Sequence, residues 1–219
     1  LITYVEGWQE NPAEKREEFR QLLQNRLKRP APPALGFTGT GGSGKSTLLD
    51  EIVQRFRREF PGKTIGILTV DPTSRRSGGA LLGDRIRMNA IESPQVFLRS
   101  MATRQAHLGV SEALADGIQV LRAAGFDLVL VETAGIGQAE SEVVDLADIS
   151  IYVMTPEYGA SSQLEKIGML DLADIVVVNK FERRGGPDAL RDIRKHWRRS
   201  RNAPRLRDEE IPVYPTAAS

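Results

Sequence analysis

The 219-residue sequence predicts an α/β fold of three layers, a mostly parallel central sheet with helices on both faces. Two observations carry this. Near-continuous apolar runs at residues 34–38, 64–70, 126–131, 149–154 and 175–178 read as strands buried on both faces. Segments with apolar residues at helical spacing lie between them, and such alternation builds a parallel sheet. A third observation narrows the class. Gly39-Thr40-Gly41-Gly42-Ser43-Gly44-Lys45-Ser46 fits G-x-x-x-x-G-K-[ST] and sits between a strand and a helix, the arrangement of a P-loop NTPase.

Each element has its own signals. Residues 12–29 form the first helix. Asn11 can cap it, Pro12 suits its first position, and Phe19, Leu22, Leu23 and Leu27 give the narrow stripe of an ordinary packing helix. Pro30-Ala31-Pro32-Pro33 is a stiff extended stretch. Residues 1–33 are therefore expected as an N-terminal helix and Pro-rich linker, and 34–219 as the P-loop domain. After the glycine loop, Leu48, Leu49, Ile52, Val53, Phe56 and Phe60 recur at helical spacing until Pro61-Gly62 stops the helix. Residues 96–98 add a shorter strand. Helices are expected at 84–91, 111–124, 161–172 and 187–200. Pro212-Val213-Tyr214 is β-like.

Composition excludes several classes. The formal net charge of +1 gives no general attraction to nucleic acid or anionic membrane. No apolar run approaches the roughly 20 residues of a membrane span, and no signal peptide opens the chain. With no cysteine, disulfides and thiolate metal sites are excluded, which fits a reducing cytoplasm. The start at Leu1 without Met fits a domain cut from a longer protein.

The candidate site gathers around the glycine loop. Gly39, Gly41, Gly42, Ser43, Gly44, Lys45, Ser46 and Thr47 are its phosphate-binding residues. Glycines let backbone N–H groups approach a phosphate, Lys45 adds charge at the β- and γ-phosphates, and the Ser46 hydroxyl suits Mg²⁺. Ligands of open parallel sheets bind outside the carboxyl ends of the strands. Three further strand exits there are polar. Asp71, Asp84 and Glu132 are hard oxygen donors for Mg²⁺, with a helix cap as the plainer role for Asp84. Gly135 can present its N–H to the γ-phosphate. Arg75 and Arg76 can stabilise charge in phosphoryl transfer, or be solvated loop arginines. Gln138 can position water. Asn179-Lys180-Phe181-Glu182 reads as the guanine-recognition motif N-K-x-D with Glu for Asp. Its carboxylate accepts from guanine N1 and N2, donors that adenine lacks. Thr216-Ala217-Ala218 reads as the loop touching the guanine carbonyl.

These residues resemble the MeaB/ArgK-type P-loop GTPases, metallochaperones of cobalamin-dependent acyl-CoA mutases, and among them the GTPase domains of fused isobutyryl-CoA mutases. The likeness rests on residues 39–46, on the run from Val70-Asp71-Pro72-Thr73-Ser74-Arg75-Arg76 to Gly83-Asp84, on Val131-Glu132-Thr133-Ala134-Gly135-Ile136-Gly137-Gln138 and on Asn179-Lys180. The resemblance implies GTP and GDP as ligands, Mg²⁺ on Ser46, Asp71, Asp84 and Glu132, and guanine read by Asn179 and Glu182. It implies adenosylcobalamin only through a partner domain. It also implies cobalamin-binding and mutase domains as partners, fused or separate, and allows a homodimer. Residues 156–166 resemble the family's third switch loop, with Gln163 and Lys166 on matching positions. Glu182 and the loop at residues 157–162 depart from the pattern.

Two rival functions follow from the same motifs. A GTP-holding interaction switch would keep the site without useful turnover. An ATP-dependent small-molecule kinase would share the loop, but the base motif argues against it. The arginines at 191, 194, 198, 199 and 201 lack interleaved aromatics, so a solvated or domain-facing helix is the better reading than a nucleic-acid patch.

Overall fold

The computed structural model describes residues 1–6, 13–27, 30–71, 93–102, 108–133, 139–159 and 168–217. Its centre is a seven-stranded sheet: β1 (Ala34–Gly39), β2 (Ile65–Asp71), β3 (Val96–Ala102), β4 (Leu128–Thr133), β5 (Ile149–Met154), β6 (Ile175–Val178) and β7 (Val213–Pro215). The spatial order is β3-β2-β4-β1-β5-β6-β7, and every pairing is parallel. The expected three-layer architecture is what forms.

The two faces follow from the strand period of two. Phe37, Ile67, Leu130 and Val153 point to one face and pack against Leu48, Leu49 and Val53 of α3 (Lys45–Glu59). Ala34, Leu68, Val129 and Val131 point to the other and meet Leu114, Ile118 and Leu121 of α4 (Leu108–Ala123) and Val143 of α5 (Ala139–Leu146). Farther along that face, Tyr152, Met154, Val176 and Val178 pack on Leu170 of α6 (Met169–Leu172) and on Ala189 and Ile193 of α7 (Gly186–Ser200). Leu49 and Val53 are fully buried, and truncating such a side chain to Ala costs about 2–5 kcal/mol.

The N-terminal segment packs on α4. Ile2, Val5 and Leu23 join the core on that face. They come from two helices, Ile2–Glu6 and Ala13–Gln24. Arg20 pairs through two nitrogens with Asp116, at 2.8 and 2.9 Å, and Asp116 is 3% exposed. The Pro-rich stretch is bonded to its surroundings: Pro32 O accepts from Arg122 Nε and Pro33 O from Val129 N.

An aspartate pins the start of three strands. Asp148 accepts from the N–H of Ala34, Asp127 from that of Thr64 and Asp174 from that of Ser150, at 2.7, 2.9 and 2.8 Å.

Several boundaries differ from the sequence expectation, each for a local reason. β4 runs two residues past its apolar run. Gly125 at φ 91 and the Asp127 staple hold residues 125–127 in the connection, while Glu132 and Thr133 end the strand at the site. β3 extends through Arg99 and Ser100, because an edge strand needs less apolar sequence. The first expected helix is described only over Ala13–Gln24 and then tightens into i→i+3 turns at Arg26 and Leu27. The helix expected at 84–91, and residues 161–167 of the one expected at 161–172, lie outside the described residues. The short helices Ile2–Glu6 and α5 gave no recognised signal.

Candidate functional site

Because the sheet is parallel, β1, β2, β4, β6 and β7 all exit at one edge. The chain leaves β1 toward β2 on one side, and β5, β6 and β7 lie on the other. A crevice opens at such a reversal, and the glycine loop fills it.

The loop's carbonyls are drawn away from that crevice by side chains. Lys45 Nζ donates to Gly39 O at 2.8 Å and to Thr40 O at 3.1 Å. Lys180 Nζ donates to Gly42 O at 2.7 Å, and Asn179 Nδ2 to Ser43 O at 2.8 Å. With the carbonyls of Gly39, Thr40, Gly42 and Ser43 engaged, the planar peptides turn the N–H groups of Thr40, Gly41 and Gly44 the opposite way, as an anion-binding nest requires, while Ser43 N–H closes the loop on Thr40 O. Two glycines are obligatory here. Gly39 has φ 140, and a Cβ on it would lie 1.9 Å from Val153 O. Gly44 has φ 85, and a Cβ would meet Asn179 Nδ2 at 2.5 Å. Gly44 is also the N-cap of α3, with no side-chain cap, and no acidic residue occupies the helix's first turn. The positive end of α3 is thus directed at an incoming anion.

Two of the residues expected to hold Mg²⁺ meet beside the loop. Ser46 Oγ donates to Glu132 Oε1 at 2.7 Å. Thr69 is the cross-strand neighbour of both Glu132 and Ser100, and the Thr69 and Ser100 hydroxyls are buried without a hydrogen-bond partner. A hydroxyl, a carboxylate and nearby unpaired oxygens are the hard donors that Mg²⁺ takes, so the residues present fit that ion. Among the described residues no three His, Cys, Asp or Glu cluster to hold a metal. Asp71 closes β2 at the same edge, opposite Ala102. Thr69 and Ser100 were not singled out from sequence. Only the strand register reveals them.

The third part of the site is a polar corner. Asn179 is fully buried, and its Oδ1 accepts from Thr216 Oγ1 at 2.9 Å while its amide holds the glycine loop. Its N–H bonds Met154 O, Phe181 N bonds Thr216 O and Thr216 N bonds Val178 O. Lys180 sits at φ 56, in the left-handed region. Segments more than 130 residues apart, the glycine loop and the base motif, are joined by Asn179 and Lys180. Glu182 and Ala217 stand exposed at the rim of this corner, and Thr47, Gly41 and Gly42 are exposed on the loop itself. Arg75, Arg76, Asp84, Gly135, Gln138, Gln163, Lys166 and Ala218 lie outside the described residues.

Chemically, the arrangement can hold a polyphosphate at the loop, with oxygen donors suited to a divalent cation beside it and an exposed carboxylate, Glu182, at the rim. Comparison with known proteins accords with this. The family "Methylmalonyl Co-A mutase-associated GTPase MeaB" matches residues 1–210. A fused isobutyryl-CoA mutase of Cupriavidus metallidurans is 52% identical over 220 residues, covering 100% of this chain and 20% of that protein. Another, of Geobacillus kaustophilus, is 55% identical over 187 residues, covering 85% of this chain and 17% of that protein. The chain thus spans about a fifth of the length of these relatives. Among solved structures, an LAO/AO transport system kinase superposes with a TM-score of 0.64 at 26% identity, over 99% of this chain and 64% of that one. No helix among the described residues is long and apolar enough to cross a membrane.

Proposed function

The chain belongs to the MeaB family of methylmalonyl-CoA-mutase-associated GTPases, and on that footing we propose that it is a Mg²⁺-dependent GTPase domain serving a cobalamin-dependent acyl-CoA mutase. It takes GTP at the carboxyl edge of the sheet and returns GDP and phosphate. The observation that supports this best is the joining of the phosphate loop to the base motif by Asn179 and Lys180. The chaperone role rests on the family and on relatives in which such a domain is part of a mutase.

Catalysis in this reading is positioning and charge stabilisation. Lys45 and the N–H groups of the loop hold the β- and γ-phosphates. Ser46 and Glu132, with Asp71 and Asp84, would hold Mg²⁺, which would neutralise charge on the phosphate oxygens. Gln138 orients water for in-line attack on the γ-phosphorus, the bond to the β–γ bridging oxygen breaks, and Arg76 stabilises the charge that develops. Lys180 lies along the base, and Glu182 accepts from guanine N1 and N2. Nucleotide state then acts on residues 71–84, 134–138 and 156–166, with Gln163 and Lys166 toward the mutase. Through them it gates loading or protection of adenosylcobalamin held by a partner domain.

Single-turnover phosphate release from GTP tests the enzymatic half. The native chain with Mg²⁺ is expected to turn over at an intrinsic rate on the order of 10⁻⁴–10⁻² s⁻¹. Chelation abolishes this, and Lys45→Ala lowers it about 100-fold or more. Equal rates in native protein and variant would leave only a GTP-holding switch.

A further inference from the structure

The base-reading turn is fastened at both ends, and only one fastening belongs to the recognised motif. The Asn179 end is held by the bonds described above. The far end is Arg183. Its N–H closes the turn on Lys180 O at 3.0 Å, its carbonyl accepts from Gly186 N, and its guanidinium pairs with Glu157 at 2.8 Å. Glu157 lies in the 3₁₀ turn Pro156–Tyr158 that follows β5. That turn is itself fixed. Gly159 abuts α7 so closely that a Cβ would lie 2.4 Å from Ala189 Cβ, and Tyr158 N bonds Thr155 O.

We propose that Arg183, held by Glu157, is a positioning residue for guanine recognition. The inference rests on the GTPase reading above and adds a residue outside the N-K-x-E motif. Glu182 lies between the two fastened ends. Its side chain has one more rotatable bond than the Asp of the usual motif, so the placement of its backbone sets where the carboxylate can reach. Lys180 at φ 56 is in the left-handed region, a strained conformation that persists only where the surroundings hold it. The Arg183–Glu157 pair supplies that hold from the side opposite Asn179. Hydrogen bonds from Thr155 and then Arg183 hold the Glu157 carboxyl down at about 2, so the pair stays ionised at neutral pH. The two side chains are about half exposed, which keeps the expected effect modest and sensitive to salt.

The test measures dissociation constants of GDP, IDP and ADP on the full chain. IDP lacks the 2-amino group that would donate to Glu182. The native chain should prefer GDP over IDP and over ADP. Arg183→Met should weaken GDP about two- to fivefold and IDP less, narrowing the ratio, with ADP unchanged. Glu157→Gln should do the same, the doubly exchanged Glu157→Arg, Arg183→Glu chain should recover the ratio, and added salt should narrow it in the native and doubly exchanged chains but not in the single variants. A native chain that prefers GDP, joined to an Arg183→Met variant with the native GDP/IDP ratio, overturns this inference alone. A native chain that binds ADP as well as GDP overturns the guanine reading as well.

Discussion

At the amino ends of the strands, carboxylates take backbone N–H groups; at the carboxyl ends, an amide and two ammonium groups take backbone carbonyls. Asp148, Asp127 and Asp174 close the first end, while Lys45, Lys180 and Asn179 shape the second. The sign of the difference decides what each end is for. A carboxylate satisfies an N–H within the protein and leaves nothing for a ligand. A donor that occupies a carbonyl turns the next N–H outward and leaves it to a phosphate. The same economy of buried hydrogen bonds therefore builds stability at one edge and a binding surface at the other.

The comparison is broken most severely at Asn179. Asn179→Ala leaves Ser43 O and the Thr216 hydroxyl without their partner inside the corner. Such a loss costs about 1–3 kcal/mol, and because it distorts the loop it should appear as a roughly 5- to 150-fold weaker GDP dissociation constant. Calorimetric titration of GDP checks it, and an unchanged constant would contradict the role given to the corner.

Asp148→Ala is the matching change at the other edge. It removes the acceptor of Ala34 N and the carboxylate partner of the Arg122 guanidinium, which is 11% exposed and keeps its bond to Pro32 O. The expected cost is about 1–3 kcal/mol of stability. For a chain of this size each kcal/mol lowers Tm by about 2–4 °C. The GDP constant should stay within about twofold, since the substitution lies at the far end of β1. A scanning thermal melt, run beside the titration, separates the two effects.

A smaller and pH-dependent effect belongs to Asp127. The Thr64 backbone N–H, then Lys63, hold its carboxyl down from the usual 3.8 to about 2. The folded value lies below the unfolded one, so its contribution is full above about pH 4 and is lost as pH falls toward 2. Asp127→Asn should flatten that part of the acid-unfolding curve and leave stability at pH 7–8 insensitive to pH. An unchanged acid limb would contradict the assignment.

How much of this was legible depended on range. Strands buried on both faces show as continuous apolar runs, so β5 and β6 coincide with their runs at Ile149–Met154 and Ile175–Val178. The glycine loop is local in sequence, and its flanks carry the same local signals. Pairings between distant positions leave no such mark. Nothing in the sequence around Arg20 announces Asp116, 96 residues on, and nothing around Asn179 announces Ser43. The aspartate staples were also hidden, because a lone Asp before a strand is indistinguishable from a turn residue. Arg183 carries no local signal of its own. Its partner lies on the turn after β5, and only the fold brings the two together.

The most direct test of the central claim, that the polar corner makes the phosphate loop a guanine-nucleotide site, is displacement of labelled GDP from the chain by unlabelled GTP, GDP and ATP at fixed Mg²⁺. The account predicts that GTP and GDP displace it at comparable concentrations, while ATP does not at a hundredfold excess, because adenine leaves the Glu182 carboxylate without its donors. Displacement by ATP as effective as by GDP would contradict it.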